Sequence, residues 1–150
     1  MSNHKRHENV AVWAKRCYLT GRSLMDAALR PFDLGATQWQ VLSLLVQSGT
    51  VKQRDLSQSL QIERATLSIL VGALVRKGLV EQIPDPADQR RKSLRLTAAG
   101  KRLWKQLPDL SFIRRVAFEG IPDADLETAA RVLEAATERL TPALKNEATS

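Results

Sequence analysis

The chain is poor in the residues that staple, span or catalyse. It has one cysteine, Cys17, so no intrachain disulfide framework can form and nothing in its cysteine usage points to an oxidising compartment. Its two histidines, His4 and His7, lie three apart, but no further histidine and no cysteine cluster completes a metal site. They read instead as part of a solvated tail over residues 1–8. No apolar run approaches the roughly 18 residues of a membrane span, and residues 1–16 hold no long apolar segment with a cleavage-like end. A cytoplasmic location is the expectation. A phosphate-binding glycine loop is missing too, and neither histidine falls in a segment expected to fold near a nucleophile. The sequence therefore predicts no enzyme, no cofactor, no metal and no membrane partner.

What is present is a core and an excess of positive charge. With 150 residues, 43% hydrophobic and 26% charged, the chain fits a single unit, 1–150, around a real core. The net charge of +7 is uneven. Residues 1–75 carry 9 basic and 5 acidic side chains, residues 76–105 carry 9 and 3, and residues 106–150 carry 5 and 8. The middle stretch is thus the most basic, and nucleic acid is the leading partner for so focused a patch.

That patch centres on residues 79–97. Two alternating segments, Leu79 to Ile83 and Ser93 to Leu96, flank a connector rich in Pro, Asp, Arg and Lys, which predicts a β-hairpin with a charged tip. Arg90, Arg91 and Lys92 stand at the tip. Asp88 is close enough to accept a hydrogen bond from the Arg90 guanidinium and fix its direction.

Upstream, Val10, Trp13, Ala14, Cys17, Leu24 and Ala28 mark one face of a helix from about Asn9 to Arg30, stopped by Pro31. Thr37 is a candidate N-cap for a buried helix through Trp39, Val41, Leu42, Leu45 and Val46, closed by Gly49. After a short extended stretch at residues 50–52, a helix from Gln53 to Leu60 and another from Glu63 to Lys77 make a helix-turn-helix. On the second, Leu67, Leu70, Val71 and Leu74 face the core. The opposite face offers Ala65, Ser68, Ile69, Gly72 and Arg76, with Arg64 and Thr66 near the helix start. Small side chains let a helix approach a groove floor, hydroxyls bond base edges or phosphates, and Ile69 suits a thymine methyl. An ordinary exposed helix face would look similar, but the basic hairpin follows directly and completes a winged helix.

The stretch DPADQRRKSLRLTAAG, Asp85 to Gly100, resembles the wing signature of the MarR family of bacterial transcription regulators. The likeness extends to Leu34 to Gln38, Trp39, Val41, Leu42, Leu56, the region Ile62 to Leu74, and Lys77 to Leu79. It implies a mainly α fold with a small β-hairpin wing: a winged helix-turn-helix over 37–100, flanked by dimerisation helices over 9–30 and 101–146. It also implies a homodimer on double-stranded DNA, a repressor by family habit, and release by a small aromatic or phenolic ligand. Arg90 becomes the wing arginine entering the minor groove, Asp88 its orienting residue, and Thr97 the cap of the next helix. Ala65, Thr66 and Ser68 fall where bases or phosphates are met. Gln89 replaces a common arginine, with Arg91 and Lys92 supplying charge nearby, and Ile69 and Ala73 replace arginines of many relatives.

Beyond Thr97 a helix is expected through Leu103, Trp104 and Leu107 to Pro108, continuing in character through Ile113, Val116 and Phe118 to Gly120. A last helix starts at Pro122 and Asp123, with a heptad-like seam of Leu126, Ala130, Leu133, Thr137, Leu140 and Leu144. The seam fits a two-fold dimer or packing against the first helix, and the dimer is the simpler reading. An effector pocket bordered by Trp13, Arg16, Met25 and Trp39 follows from the resemblance, although both tryptophans read better as core. One branch of that family senses organic hydroperoxides through a cysteine on the first helix, and Cys17 lies on that helix but about one turn later than the resemblance implies. A buried structural cysteine is the preferred reading, because free cysteine packs as a small hydrophobe and Tyr18 is the only tyrosine here. A winged helix used for protein contacts is the remaining alternative.

Overall fold

The computed structural model describes residues 2–88 and 90–148, and its contacts divide the chain into two compact units after Leu110. The first opens with α1, Asn3–Leu29, which begins six residues before the expected Asn9. Residues 3–8 are polar but contain neither Gly nor Pro, so their polarity signals exposure and not the absence of a helix. A 3₁₀ turn at Arg30–Phe32 carries Pro31, and Asp33 leaves it in the left-handed conformation with φ 54°. Only Leu29 of α1 is buried. Cys17 and Trp13 are both exposed, contrary to the core reading of each. An apolar stripe on a helix looks the same in sequence whether the chain covers it or leaves it bare.

Helix α2, Ala36–Ser48, is started by residues other than the expected Thr37. The Ala36 N–H donates to Asp26 Oδ1 at 2.7 Å and the Gly35 N–H to Gln38 Oε1 at 3.2 Å. Asp26, reaching across from α1, thus satisfies a free amide at the helix N-terminus, where negative charge is stabilising. Thr37 lies in the first turn, buried, and its Oγ1 accepts from Arg22.

Helices α3, Gln53–Leu60, and α4, Arg64–Arg76, follow with bounds close to those expected. Their turn closes through Gln61 in the left-handed region and through Ser57, whose Oγ donates to the Ile62 carbonyl at 2.6 Å. Leu56 of α3 and Leu67, Val71 and Leu74 of α4 are fully buried with Val41, Leu42 and Leu45 of α2. Truncating any of these leucines to alanine carries the usual cost of about 2–5 kcal/mol. Gly78, at φ 72°, ends α4 and turns the chain into the sheet.

The sheet has three antiparallel strands in the order β1, β3, β2, with β1 at Val51–Lys52, β2 at Val80–Pro84 and β3 at Lys92–Leu96. Val80 pairs with Leu96 and Glu81 with Arg95, so period-two alternation buries Val80, Leu94 and Leu96 while Arg95 and Glu81 form an ion pair outside. Helix α5, Ala98–Gln106, is capped by Thr97, whose Oγ1 accepts from Gly100 N at 3.0 Å. The same hydroxyl donates to the Gly78 carbonyl at 2.6 Å. The helix ends at Gln106, short of Pro108 as expected, and the helical character beyond it belongs to a separate helix. Leu107 precedes Pro108 and is extended, ψ 147°, because the proline ring disfavours helical geometry in the residue before it.

The second unit contains α6, Ser111–Phe118, and α7, Asp123–Ala148. On α7 the seam residues Leu133, Leu140 and Leu144 are exposed and Leu126 is half-buried.

Gly100 supports a sharp stability test. A Cβ there would lie 2.1 Å from the Leu79 carbonyl oxygen, a backbone atom with no freedom to turn aside. At Gly72 the nearest atom is the mobile Arg76 Nη1 at 3.4 Å. Gly100→Ala should destabilise by roughly 1–3 kcal/mol or more, and Gly72→Ala should be neutral or stabilise by up to about 1 kcal/mol. Urea unfolding of both variants checks this; equal stability at Gly100 would show that the approach is not tight.

Candidate nucleic-acid interface

Three elements frame one groove of about 800 Å³: the start of α3, the outer face of α4 and the strands and tip of the hairpin. Six cations line it, Lys52, Arg54, Arg64, Arg90, Arg91 and Lys92, against two carboxylates, Asp85 and Asp88. Its floor is polar and includes Gln53, Ser68 and Gln82. A hydrogen-bond chain crosses that floor. Gln82 Nε2 donates to Gln53 Oε1 at 3.2 Å, and Gln53 Nε2 donates to Ser68 Oγ at 3.3 Å, joining β2 to α3 and α4.

The tip is ordered from Asp88 and Asp85. Asp88 Oδ1 accepts from the Arg90 backbone N–H at 3.0 Å, its carbonyl accepts from Arg91 N at 2.9 Å, and Asp85 Oδ1 accepts from Ala87 N at 2.8 Å. The Arg90 and Arg91 guanidinia lie 3.5 and 3.8 Å from the Asp88 carboxylate, both as Nε contacts. The expected guanidinium contact is therefore present, but the shorter bond goes to the backbone. Asp88 shapes the loop first and steers the arginine second. Arg90 itself is 94% exposed, free to meet a partner. Gln89 lies outside the described residues.

Of the residues expected to contact nucleic acid, Arg64, Ser68, Asp88, Arg90, Arg91 and Lys92 line the groove together. Ala65, Thr66 and Ile69 are exposed on α4 beyond its lining, Ile69 at 72%, and Arg76 is exposed at the helix's far end. Sequence reasoning misses Lys52, Gln53, Arg54 and Gln82. One signal does point to the two cations among them: basic residues at a helix start oppose the helix dipole, so Lys52 and Arg54 at the head of α3 are placed against local preference.

Of the residues read as an effector pocket, two meet on α1. Arg16 sits over the Trp13 ring, 5.2 Å from its centroid. Met25 is half-buried further along α1, and Trp39 stacks on Trp104 with centroids 5.5 Å apart. Among the described residues no group of three or more His, Cys, Asp or Glu could hold a metal, and no helix is long and apolar enough to cross a membrane.

A helix-turn-helix whose second helix shares one basic groove with a three-stranded sheet and its hairpin defines a winged helix-turn-helix protein. Residues 32–91 match the family model described as MarR family, so the chain is similar to that family over this stretch. It is 34% identical over 70 residues to the HTH-type transcriptional regulator FarR of Neisseria gonorrhoeae, an alignment covering 47% of this chain and 48% of FarR. The chain thus spans about half the length of that relative. The fold is shared with a Staphylococcus aureus MepR–DNA complex at TM-score 0.78 and 24% identity, covering 87% of this chain and 97% of that one. It is also shared with a mutant of Escherichia coli MarR complexed with operator DNA, at TM-score 0.76 and 20% identity, covering 91% and 99%.

The tip geometry makes a distinction between two neighbouring amides. Arg90 N–H depends on the Asp88 side chain, whereas Arg91 N–H depends on the Asp88 main-chain carbonyl. Asp88→Ala should raise amide exchange at Arg90 while Asp88→Asn, which keeps an acceptor oxygen, preserves it. Exchange measured by NMR decides; an Arg90 amide indifferent to both changes would remove Asp88 as the residue that sets the loop.

Proposed function

We propose that the chain is a sequence-specific, DNA-binding transcription regulator. It acts as a homodimeric repressor on a pseudopalindromic operator and is released by a small aromatic or phenolic effector. The observation that carries this reading is the concentration of six cations around one groove between α4 and the wing. An α-helix fits the major groove of B-DNA, and an arginine at a hairpin tip suits the negative potential of the adjacent minor groove. In this reading Arg64, Arg90, Arg91, Lys92 and Arg76 hold phosphates or the minor groove, while Ala65, Thr66, Ser68 and Ile69 face base edges. Residues 37–100 are the DNA-binding part. Residues 9–30 and 101–146 make the dimer, supported by the uncovered seam of α7. A two-fold axis would place two recognition helices about 34–36 Å apart, one turn of DNA. The regulator works in the cytoplasm and has no catalytic role.

Phosphate contacts release counterions, so affinity for duplex DNA should fall with a log–log salt slope of about 0.9 per phosphate neutralised. Arg90→Ala should weaken binding and flatten that slope by about 1 for each phosphate left without its cation. Fluorescence anisotropy over a salt series measures both. A slope near zero would replace DNA with a protein partner for the wing.

The exposure of Cys17 favours one second reading, a regulator that responds to oxidation, since sulfenic acid formation requires an accessible thiol. On that reading wild type leaves DNA in organic hydroperoxide and Cys17→Ser stays bound. Identical release curves for the two proteins would eliminate it.

A further inference from the structure

The hydrogen-bond chain on the groove floor has a direction. Gln82 donates to Gln53, and Gln53 donates in turn to Ser68, so protons point along it from β2 through α3 to α4. Gln53 is half-buried at its centre, while Gln82 and Ser68 are exposed at its two ends.

Ser68 ends the chain on the outer face of α4. Hydroxyls within helices commonly turn their proton back to the carbonyl one turn earlier. Ser23, Thr128, Thr137 and Thr141 do so here, at 2.8–3.0 Å. Among the described residues the Ser68 hydroxyl makes no such bond: it accepts from Gln53 Nε2 at 3.3 Å, and its own proton is given to no group of the protein.

A base closing over Ser68 takes water away from that proton. A serine hydroxyl has one proton and two lone pairs, and Gln53 fills one of the lone pairs. A keto oxygen, O6 of guanine or O4 of thymine, accepts the proton. The amino group of cytosine sets a second donor against it and strands the proton, and a donor stranded away from water is costly.

We propose that Gln53 is a specificity-determining residue of the groove. By filling one lone pair of Ser68 it sets the hydroxyl to donate, so α4 favours a keto base and rejects cytosine at one position of the bound sequence. Gln53 acts through Ser68 and is a positioning residue, and Gln82 fixes which end of the Gln53 amide faces Ser68. The proposal rests on the DNA-binding reading and adds to it the polarity of one contact.

Selection of bound sequences from a random duplex library, run on the full chain and on variants, tests this. The quantity read is the enrichment of guanine or thymine over cytosine within one variant's own pool, so a change in overall affinity cancels. Ser68→Ala identifies the position, as the one where that enrichment collapses. Wild type should favour keto bases there about three- to tenfold, the worth of one hydrogen bond. Gln53→Glu places a carboxylate, which only accepts, beside Ser68. The hydroxyl proton then turns inward, both lone pairs face the partner, and the preference should invert toward cytosine. Gln82→Leu, which frees the Gln53 amide to turn, should bring the ratio toward one. If Gln53 were only a tie between α3 and α4, Gln53→Glu would select the same bases as wild type, and that result overturns the proposal. So does a Ser68→Ala pool unchanged at every position. A wild type that enriches no sequence sinks the DNA-binding reading itself, and the proposal falls with it.

Discussion

Much of the first unit depends on what meets the Leu79 carbonyl. It accepts from Thr97 N at 3.1 Å, and α5 comes so near that only a glycine fits at position 100. Thr97 Oγ1 ties the same corner twice, donating to the Gly78 carbonyl and accepting from Gly100 N. The end of α4, the start of β2, the end of β3 and the start of α5 are therefore fixed at one point. Register follows. Once Val80 lies opposite Leu96, alternation sends Leu94 and Leu96 inward and Arg95 outward, and a one-residue slip would reverse all three. The family-like Thr and Gly of the wing signature are structural residues, and they set where the tip projects.

Magnitudes separate what holds the fold from what the surface offers. The fully buried leucines of α2, α3 and α4 are each worth several kcal/mol against truncation. The ion pairs Lys77–Asp33 and Arg95–Glu81 involve partly or largely exposed groups, and such pairs contribute roughly 0–1 kcal/mol. Stability thus comes from the apolar face of α4, and the charges around the groove are left to other ends. Six cations facing two carboxylates repel one another, a cost that an anionic partner would relieve.

Elements whose signals are local are legible in the sequence. Leu67, Leu70, Val71 and Leu74 at helical spacing mark α4, Gly78 marks its end, and the alternation around residues 79–97 places the hairpin within one residue at either strand. Features made by distant pairing are not legible. The start of α2, expected at Thr37, lies at Gly35 and Ala36 instead, where Asp26 of the preceding helix, ten residues earlier, accepts from the Ala36 amide. Gln53 and Gln82 join the groove because β2 returns beside α3, and neither stands out from its own neighbours. The break at Pro108, by contrast, is local and legible, since a proline disfavours helical geometry in the residue before it. Burial on α1 misleads for a different reason: periodicity identifies an apolar face without saying what covers it, so Trp13 and Cys17 look like core.

On the proposed reading, the outer face of α4 and the wing would divide the labour of recognition unequally. Contacts to phosphate position a protein on DNA and contacts to base edges specify the sequence. On the proposed reading, the groove's cations lie at the head of α3, at Arg64 and on the wing, whereas the centre of α4 presents Ala65, Ser68, Ile69 and Gly72. Such a face can approach bases closely, yet among these four only the Ser68 hydroxyl is a side-chain hydrogen bonder, and it already accepts from Gln53. Discrimination would then come from the one proton Ser68 has to donate, from the shape of Ile69 against a thymine methyl and from the width of the minor groove that receives Arg90. Each term is smaller than a bidentate arginine–guanine pair, so the geometry of the wing would carry a larger share of selectivity. On that reading the Thr97 and Gly100 corner, which fixes that geometry, would serve recognition without touching the partner.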